Sequence, residues 1–137
     1  MTNIFIICGA PGSGKTTYVK SIMTEKDIVW DMDYIRRALC LRDDAGHDLP
    51  PLTFNAAMSL RIGFMAYVKK YWVRYSHVYI ITSANPKKAQ QIADEFGGTL
   101  VVMPASLDEC VKNIMKDPTR KDTGKQIDLA KAWFSKA

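Results

Sequence analysis

The chain has 137 residues, with 19 basic against 14 acidic side chains and a net charge of +5, which favours anionic partners such as nucleotides or nucleic acid. That length predicts one domain over residues 1–137, with a real buried core and no second catalytic module. Cys8, Cys40 and Cys110 are scattered without disulfide or metal spacing, and no apolar run nears the roughly twenty residues that span a bilayer, so a reduced, cytoplasmic protein without membrane contact is expected.

Residues 4–8 form an apolar, β-rich run that leads directly into Gly9, Ala10, Pro11, Gly12, Ser13, Gly14, Lys15, Thr16 and Thr17. This is a complete GxxxxGK[ST] phosphate-binding loop in strand-to-helix context. Glycines let backbone N–H groups converge on phosphate oxygens, Lys15 can reach the β- and γ-phosphates, and the Thr16 hydroxyl can ligate Mg²⁺. A helix over residues 15–23 follows, and a second strand occupies residues 28–30.

Asp31 and Asp33 come next, where a parallel sheet presents side chains to a ligand crevice. Two carboxylates two apart on extended backbone face the same way. Phosphoryl transfer to an alcohol uses one carboxylate beside the acceptor hydroxyl and a second negative group near the metal, which assigns Asp33 as base and Asp31 as metal support. Asp33 also suits the N-cap of the short helix it precedes.

That helix ends in a polar stretch, residues 42–48, where His47 stands among Asp43, Asp44 and Asp48 without a defined ligand spacing. It reads as a solvated acceptor-side loop rather than a metal site, and Pro50-Pro51 closes it. A long helix over residues 53–75 places Phe54, Met58, Met65, Val68, Trp72 and Tyr75 at helical spacing. Arg61 falls on this stripe and either aims into the crevice or snorkels. Arg61, Lys69, Lys70 and Arg74 with Tyr67, Tyr71, Trp72 and Tyr75 match the basic and aromatic mix of a nucleic-acid groove, but a core-facing aromatic stripe with a solvated basic face gives the same sequence and is the preferred reading.

The third strand, residues 78–82, leads to Asn85-Pro86, an N-cap followed by a first-turn proline. The helix there stops at Gly97-Gly98. A fourth strand covers residues 99–103, Ser106 to Glu109 spells a capping box for a helix to about residue 116, and Asp117-Pro118 breaks it. Polar residues 119–125 precede a terminal helix carrying Ile127, Leu129, Ala130, Trp133 and Phe134. Strands alternating with helices predict an α/β fold: a three-layer α/β/α sandwich of the P-loop type, its parallel sheet having about four strands. Its acceptor-side region would be about residues 42–75 and its lid about 112–125.

The phosphate loop, Asp33 with Arg36 three residues later, and the strand leading to Asn85-Pro86 together resemble the kinase domain of phage polynucleotide 5′-hydroxyl kinases. Ile127-Asp128-Leu129 is similar to that domain's last helix. The resemblance implies that ATP and Mg²⁺ are bound by Lys15 and Thr16, that Asp33 is the general base, and that Arg36 binds the acceptor's phosphate. It implies a polynucleotide or nucleotide 5′-hydroxyl as acceptor. The family's lid presents arginines to the donor, for which this sequence offers Arg120 first and Lys116 second. The family's strand-end aspartate near the third strand is replaced by a Val-Tyr-Ile-Ile-Thr-Ser-Ala run over residues 78–84, so metal support falls to Thr16, Asp31 or water. Asp31-x-Asp33 also resembles shikimate kinase, which keeps a small-metabolite or modified-base hydroxyl as an alternative acceptor. A nucleotide-binding switch or interaction module that hydrolyses ATP slowly is a third reading.

Overall fold

The computed structural model describes residues 1–44 and 46–136. Strands β1 (Ile4–Cys8), β2 (Ile28–Trp30), β3 (Val78–Thr82) and β4 (Thr99–Val102) pair in parallel in the order β2-β3-β1-β4. Around them lie α1 (Lys15–Ile22), α2 (Met32–Leu39), α3 (Leu52–Tyr71), α4 (Pro86–Phe96), α5 (Leu107–Lys116) and α6 (Thr123–Lys136). The arrangement is an α/β fold of the P-loop-like, three-layer kind. Among the described residues, no helix is long and apolar enough to cross a membrane.

Side-chain alternation along β1 decides which helices cover which face. Ile4, Ile6 and Cys8 join Val78 and Ile80 of β3 in a buried cluster with Val68 of α3, Ala89 and Phe96 of α4, Ile114 of α5 and Trp133 of α6. Ile7 points the other way, where the buried helical partner is Val19 of α1, beside Tyr79. The thicker face holds most of the fully buried aliphatic side chains, each stabilising by about 1.5–3 kcal/mol.

The helix ends follow the capping chemistry of the sequence. Asn85 accepts a hydrogen bond from the Lys88 N–H at 2.9 Å, Gly97 closes α4 at φ +61°, and both halves of the Ser106–Glu109 capping box form. Several boundaries differ from expectation, three of them with a visible cause or contact. The N-cap of α2 is Asp31, not Asp33: its carboxylate accepts from the N–H groups of Asp33 and Tyr34, so Asp33 lies inside the helix. The helix expected over residues 53–75 ends at Tyr71 and tightens into a 3₁₀ turn, Trp72–Arg74. Asn3 Nδ2 donates to the carbonyls of Tyr75 and Ser76, tying that turn to the start of β1. β4 stops at Val102, although the Met103 N–H still reaches Cys8 O at 2.8 Å.

Candidate active site

The phosphate loop leaves β1 and opens α1 at the carboxyl end of the sheet, where parallel strands place ligands. Gly12 and Gly14 take φ +80° and +86°, a region that L side chains avoid. A Cβ at Gly12 would stand 2.6 Å from the Cys110 carbonyl oxygen, so the loop lies directly on α5. Asn113 of α5 donates to Gly12 O at 2.9 Å and fixes that approach. Gly14 supplies no side-chain cap to α1, which leaves first-turn N–H groups for a ligand.

Lys15 Nζ donates to Gly9 O at 2.7 Å, Ala10 O at 3.0 Å and Ser83 Oγ at 3.1 Å. Burial above all, with the Arg120 charge, brings its ammonium from 10.5 down to about 8 against the opposing pull of Cys8, Asp31 and Cys110. Ser13 Oγ is buried without a hydrogen-bond partner. A desolvated cation, open helix amides and an orphaned hydroxyl in one glycine cradle fit the phosphates of a nucleotide.

Asp31 joins this cradle to β2. Its Oδ1 caps α2, and its Oδ2 accepts from Thr16 Oγ1 at 2.7 Å. The two residues expected at a metal therefore meet, and their hydroxyl and carboxylate oxygens are the hard donors that Mg²⁺ takes. Among the described residues, no group of three or more His, Cys, Asp and Glu could hold a metal unaided.

Asp33 points into the same crevice from the first turn of α2, with its side chain 40% exposed. Burial raises its carboxyl pKa, but the hydrogen bond with His47 and the charges of His47, Arg37 and Arg36 outweigh that and hold it below the usual carboxylate range. Arg36 donates from Nε to Thr53 Oγ1 at 2.9 Å, and from Nη2 to Leu49 O at 3.3 Å and Pro50 O at 3.2 Å. These bonds brace the chain where it enters α3, and Nη1 takes part in none of them. Arg37 is 7% exposed, lies 4.2 Å from the Tyr34 ring centroid, and lines the crevice.

From the segment between α5 and α6, Arg120 also lines the crevice and donates to Asp117 Oδ2 at 3.3 Å and Gln126 Oε1 at 2.9 Å. Lys116 is exposed and lies outside the crevice lining. The solvated reading of the acceptor-side loop fails at His47. Its Nδ1 lies 3.1 Å from Asp33 Oδ2 and its Nε2 lies 3.5 Å from Asp117 Oδ2. Because two carboxylates on separate elements converge there, the ring is drawn in rather than left in water.

The whole crevice has a volume of about 1490 Å³, more than the roughly 300–1,000 Å³ of a single-ligand pocket. Arg61 reaches it from α3, as do Phe54 and Met58, while Lys20 and Lys88 contribute further positive charge. The other basic and aromatic residues of α3 lie outside its lining. Lys69 pairs with Glu95, Arg74 stacks on Tyr71 at 4.1 Å, and the Tyr67 and Tyr75 hydroxyls bond to each other. Sequence reasoning gave no site role to His47, Asp117, Ser83, Asn113 or Arg37. Only Arg37 left a signal, its helical spacing of four from Asp33.

No family model matches the chain, and no curated protein matches it. Among solved structures, it is similar to a chain of the Pnkp1/Rnl/Hen1 RNA repair complex at 18% identity and a TM-score of 0.64, covering 99% of this chain and 46% of that one. A chain from another structure of the Pnkp1/Rnl/Hen1 complex matches at 20% identity and a TM-score of 0.54, covering 81% of this chain and 38% of that one. The chain thus spans less than half the length of either neighbour, and the likeness is one of fold.

Proposed function

We propose that this protein is a P-loop kinase that moves the terminal phosphoryl group of ATP to a hydroxyl, with the 5′-hydroxyl of a polynucleotide or nucleotide as acceptor. The observation that carries the reading is the position of Asp33. It stands in the same crevice as the Lys15 cradle and the Thr16–Asp31 pair, whose lining also includes Arg37 and Arg61. A switch that hydrolyses ATP slowly has no need of a carboxylate there. The space beyond one ligand, with its positive lining, suits an anionic second substrate. Further support comes from the fold likeness to chains of an RNA repair complex.

Lys15 and the open amides of α1 would hold the phosphates, and Thr16 with Asp31 a divalent cation. When bound, Mg²⁺–ATP supplies the phosphoryl group together with screening of its charge. Asp33 would accept the acceptor's hydroxyl proton on a carboxylate oxygen, and its lowered pKa delays that transfer until the hydroxyl is already losing the proton. Arg120 and Lys15 would face the charge that develops on the donor side.

The direct test is incubation with γ-labelled ATP and a 5′-hydroxyl oligonucleotide. Label transfer is expected, and Asp33→Asn should reduce it by about 10²–10⁴-fold. ATP binding without transfer to any oligonucleotide would remove this acceptor, and small alcohols that stimulate ADP release would replace it with a metabolite. Unchanged transfer in Asp33→Asn would remove the base.

A further inference from the structure

His47 belongs to a loop in which the sequence gives the imidazole itself no role, yet it is the point where three segments meet. It comes from the loop between α2 and α3, touches Asp33 in α2, and touches Asp117 at the end of α5. Asp117 in turn accepts from Arg120 Nε at 3.3 Å. One chain of contacts, Asp33–His47–Asp117–Arg120, therefore runs along the crevice lining and joins α2 to the segment that follows α5.

The chemistry of the ring sets the condition for this chain. Both carboxylates are acceptors when ionised, and each faces a different ring nitrogen. A neutral imidazole carries one N–H, so one nitrogen would turn a lone pair toward a carboxylate oxygen. The imidazolium carries two, so it donates to Asp33 at 3.1 Å and presents an N–H and its positive charge to Asp117 at 3.5 Å. The charged groups that meet the ring are Asp33 of α2 and Asp117 after α5; Arg37 and Arg36 act in turn on Asp33, and Arg120 on Asp117. The ring's side chain is 25% exposed, so protons reach it from solvent.

We infer that His47 is a positioning residue: its imidazolium clamps Asp33 to Asp117, joining the acceptor-side loop to the lid segment and releasing them when it loses a proton. One ring then sets both the carboxylate that faces the acceptor and, through Asp117, the orientation of Arg120. The consequence for phosphoryl transfer rests on the kinase reading above. The clamp itself does not.

The test reads the clamp in the nucleotide-free protein, so it stands or falls separately from any kinase activity. Spin labels are attached at Asp43→Cys and Lys121→Cys, both exposed, in a Cys40→Ser background in which Cys8 and Cys110 are buried. Electron paramagnetic resonance then gives the loop-to-lid distance distribution at pH 6 and pH 9. Wild-type His47 should show one short, narrow population at pH 6 that is lost to a longer, broad one at pH 9. His47→Arg, charged at both values and able to donate in two directions, should stay narrow at both. His47→Gln, which cannot carry the charge, should be broad at both. A wild-type distribution that does not change with pH overturns the inference. So does an arginine variant that broadens as the wild type does, because the titrating group would then be another one, such as Lys15. A narrow glutamine variant overturns it as well, since a neutral side chain would suffice.

Discussion

At Asp31 a stability effect and a functional effect can be separated with two substitutions. One carboxylate oxygen caps α2 by accepting from Asp33 and Tyr34 N–H, and the other accepts from Thr16 Oγ1 at 2.7 Å. Asp31→Ala removes both. Loss of the cap costs about 1 kcal/mol, and the Thr16 hydroxyl left without that partner adds about 1 kcal/mol more. Asp31→Asn keeps a side-chain oxygen that caps about as well as aspartate, but turns an NH₂ group toward Thr16 and carries no charge. In a domain of this size each kcal/mol moves the melting midpoint by roughly 3–5 °C. The alanine variant should therefore melt about 6–10 °C below wild type, and the asparagine variant within about 3 °C of it. Nucleotide affinity separates them from wild type in another way: Asp31→Asn should lose most of its Mg²⁺ dependence while binding metal-free nucleotide nearly normally. Thermal melts and Mg²⁺ titrations of nucleotide binding check both halves. If the asparagine variant melts as low as alanine, the capping argument is wrong. If its Mg²⁺ dependence matches wild type, the metal role of Asp31 is wrong.

Lys15, held at about 8 by burial, disfavours the folded state where it must be charged. Its folded pKa lies below its unfolded one, so this contribution to stability is absent below about pH 8 and grows as pH rises toward 10.5, on the order of 3 kcal/mol in all; pH-dependent melts should lose this slope in Lys15→Met. Phosphate restores the charge, so nucleotide binding at pH 9 should take up close to one proton, read by calorimetry in buffers of different ionisation enthalpy. No uptake would contradict the buried position of the ammonium. Gly12→Ala should destabilise by about 2–3 kcal/mol and weaken nucleotide binding, because φ +80° is strained for alanine and its Cβ meets the Cys110 carbonyl. Gly63→Ala, on exposed α3 with nothing within 4 Å, should instead stabilise by about 0.5–1 kcal/mol in the same melts.

Local chemistry explains which parts of the fold were legible. The phosphate loop, the Asn85 cap, the Gly97 stop and the Ser106–Glu109 box each depend on residues within a few positions of one another, so spacing alone specifies them. The exchange of the α2 cap from Asp33 to Asp31 shows the limit. Both residues can cap, and the choice is made where Thr16, fifteen residues away, engages the second oxygen of Asp31. The early end of α3 has the same origin, since Asn3 is the partner that draws the turn aside.

By itself the sequence determined a parallel α/β sheet with a glycine-rich GxxxxGK[ST] loop at the end of its first strand, because glycine conformations, apolar alternation and capping pairs act over short distances. Only the tertiary structure decided what surrounds that loop. It set Asn113 on Gly12, Ser83 on Lys15, Arg36 against the α3 entrance, and His47 between Asp33 and Asp117. These contacts join residues from fourteen to about a hundred positions apart. Their energies exist only once the sheet and helices have brought those segments together.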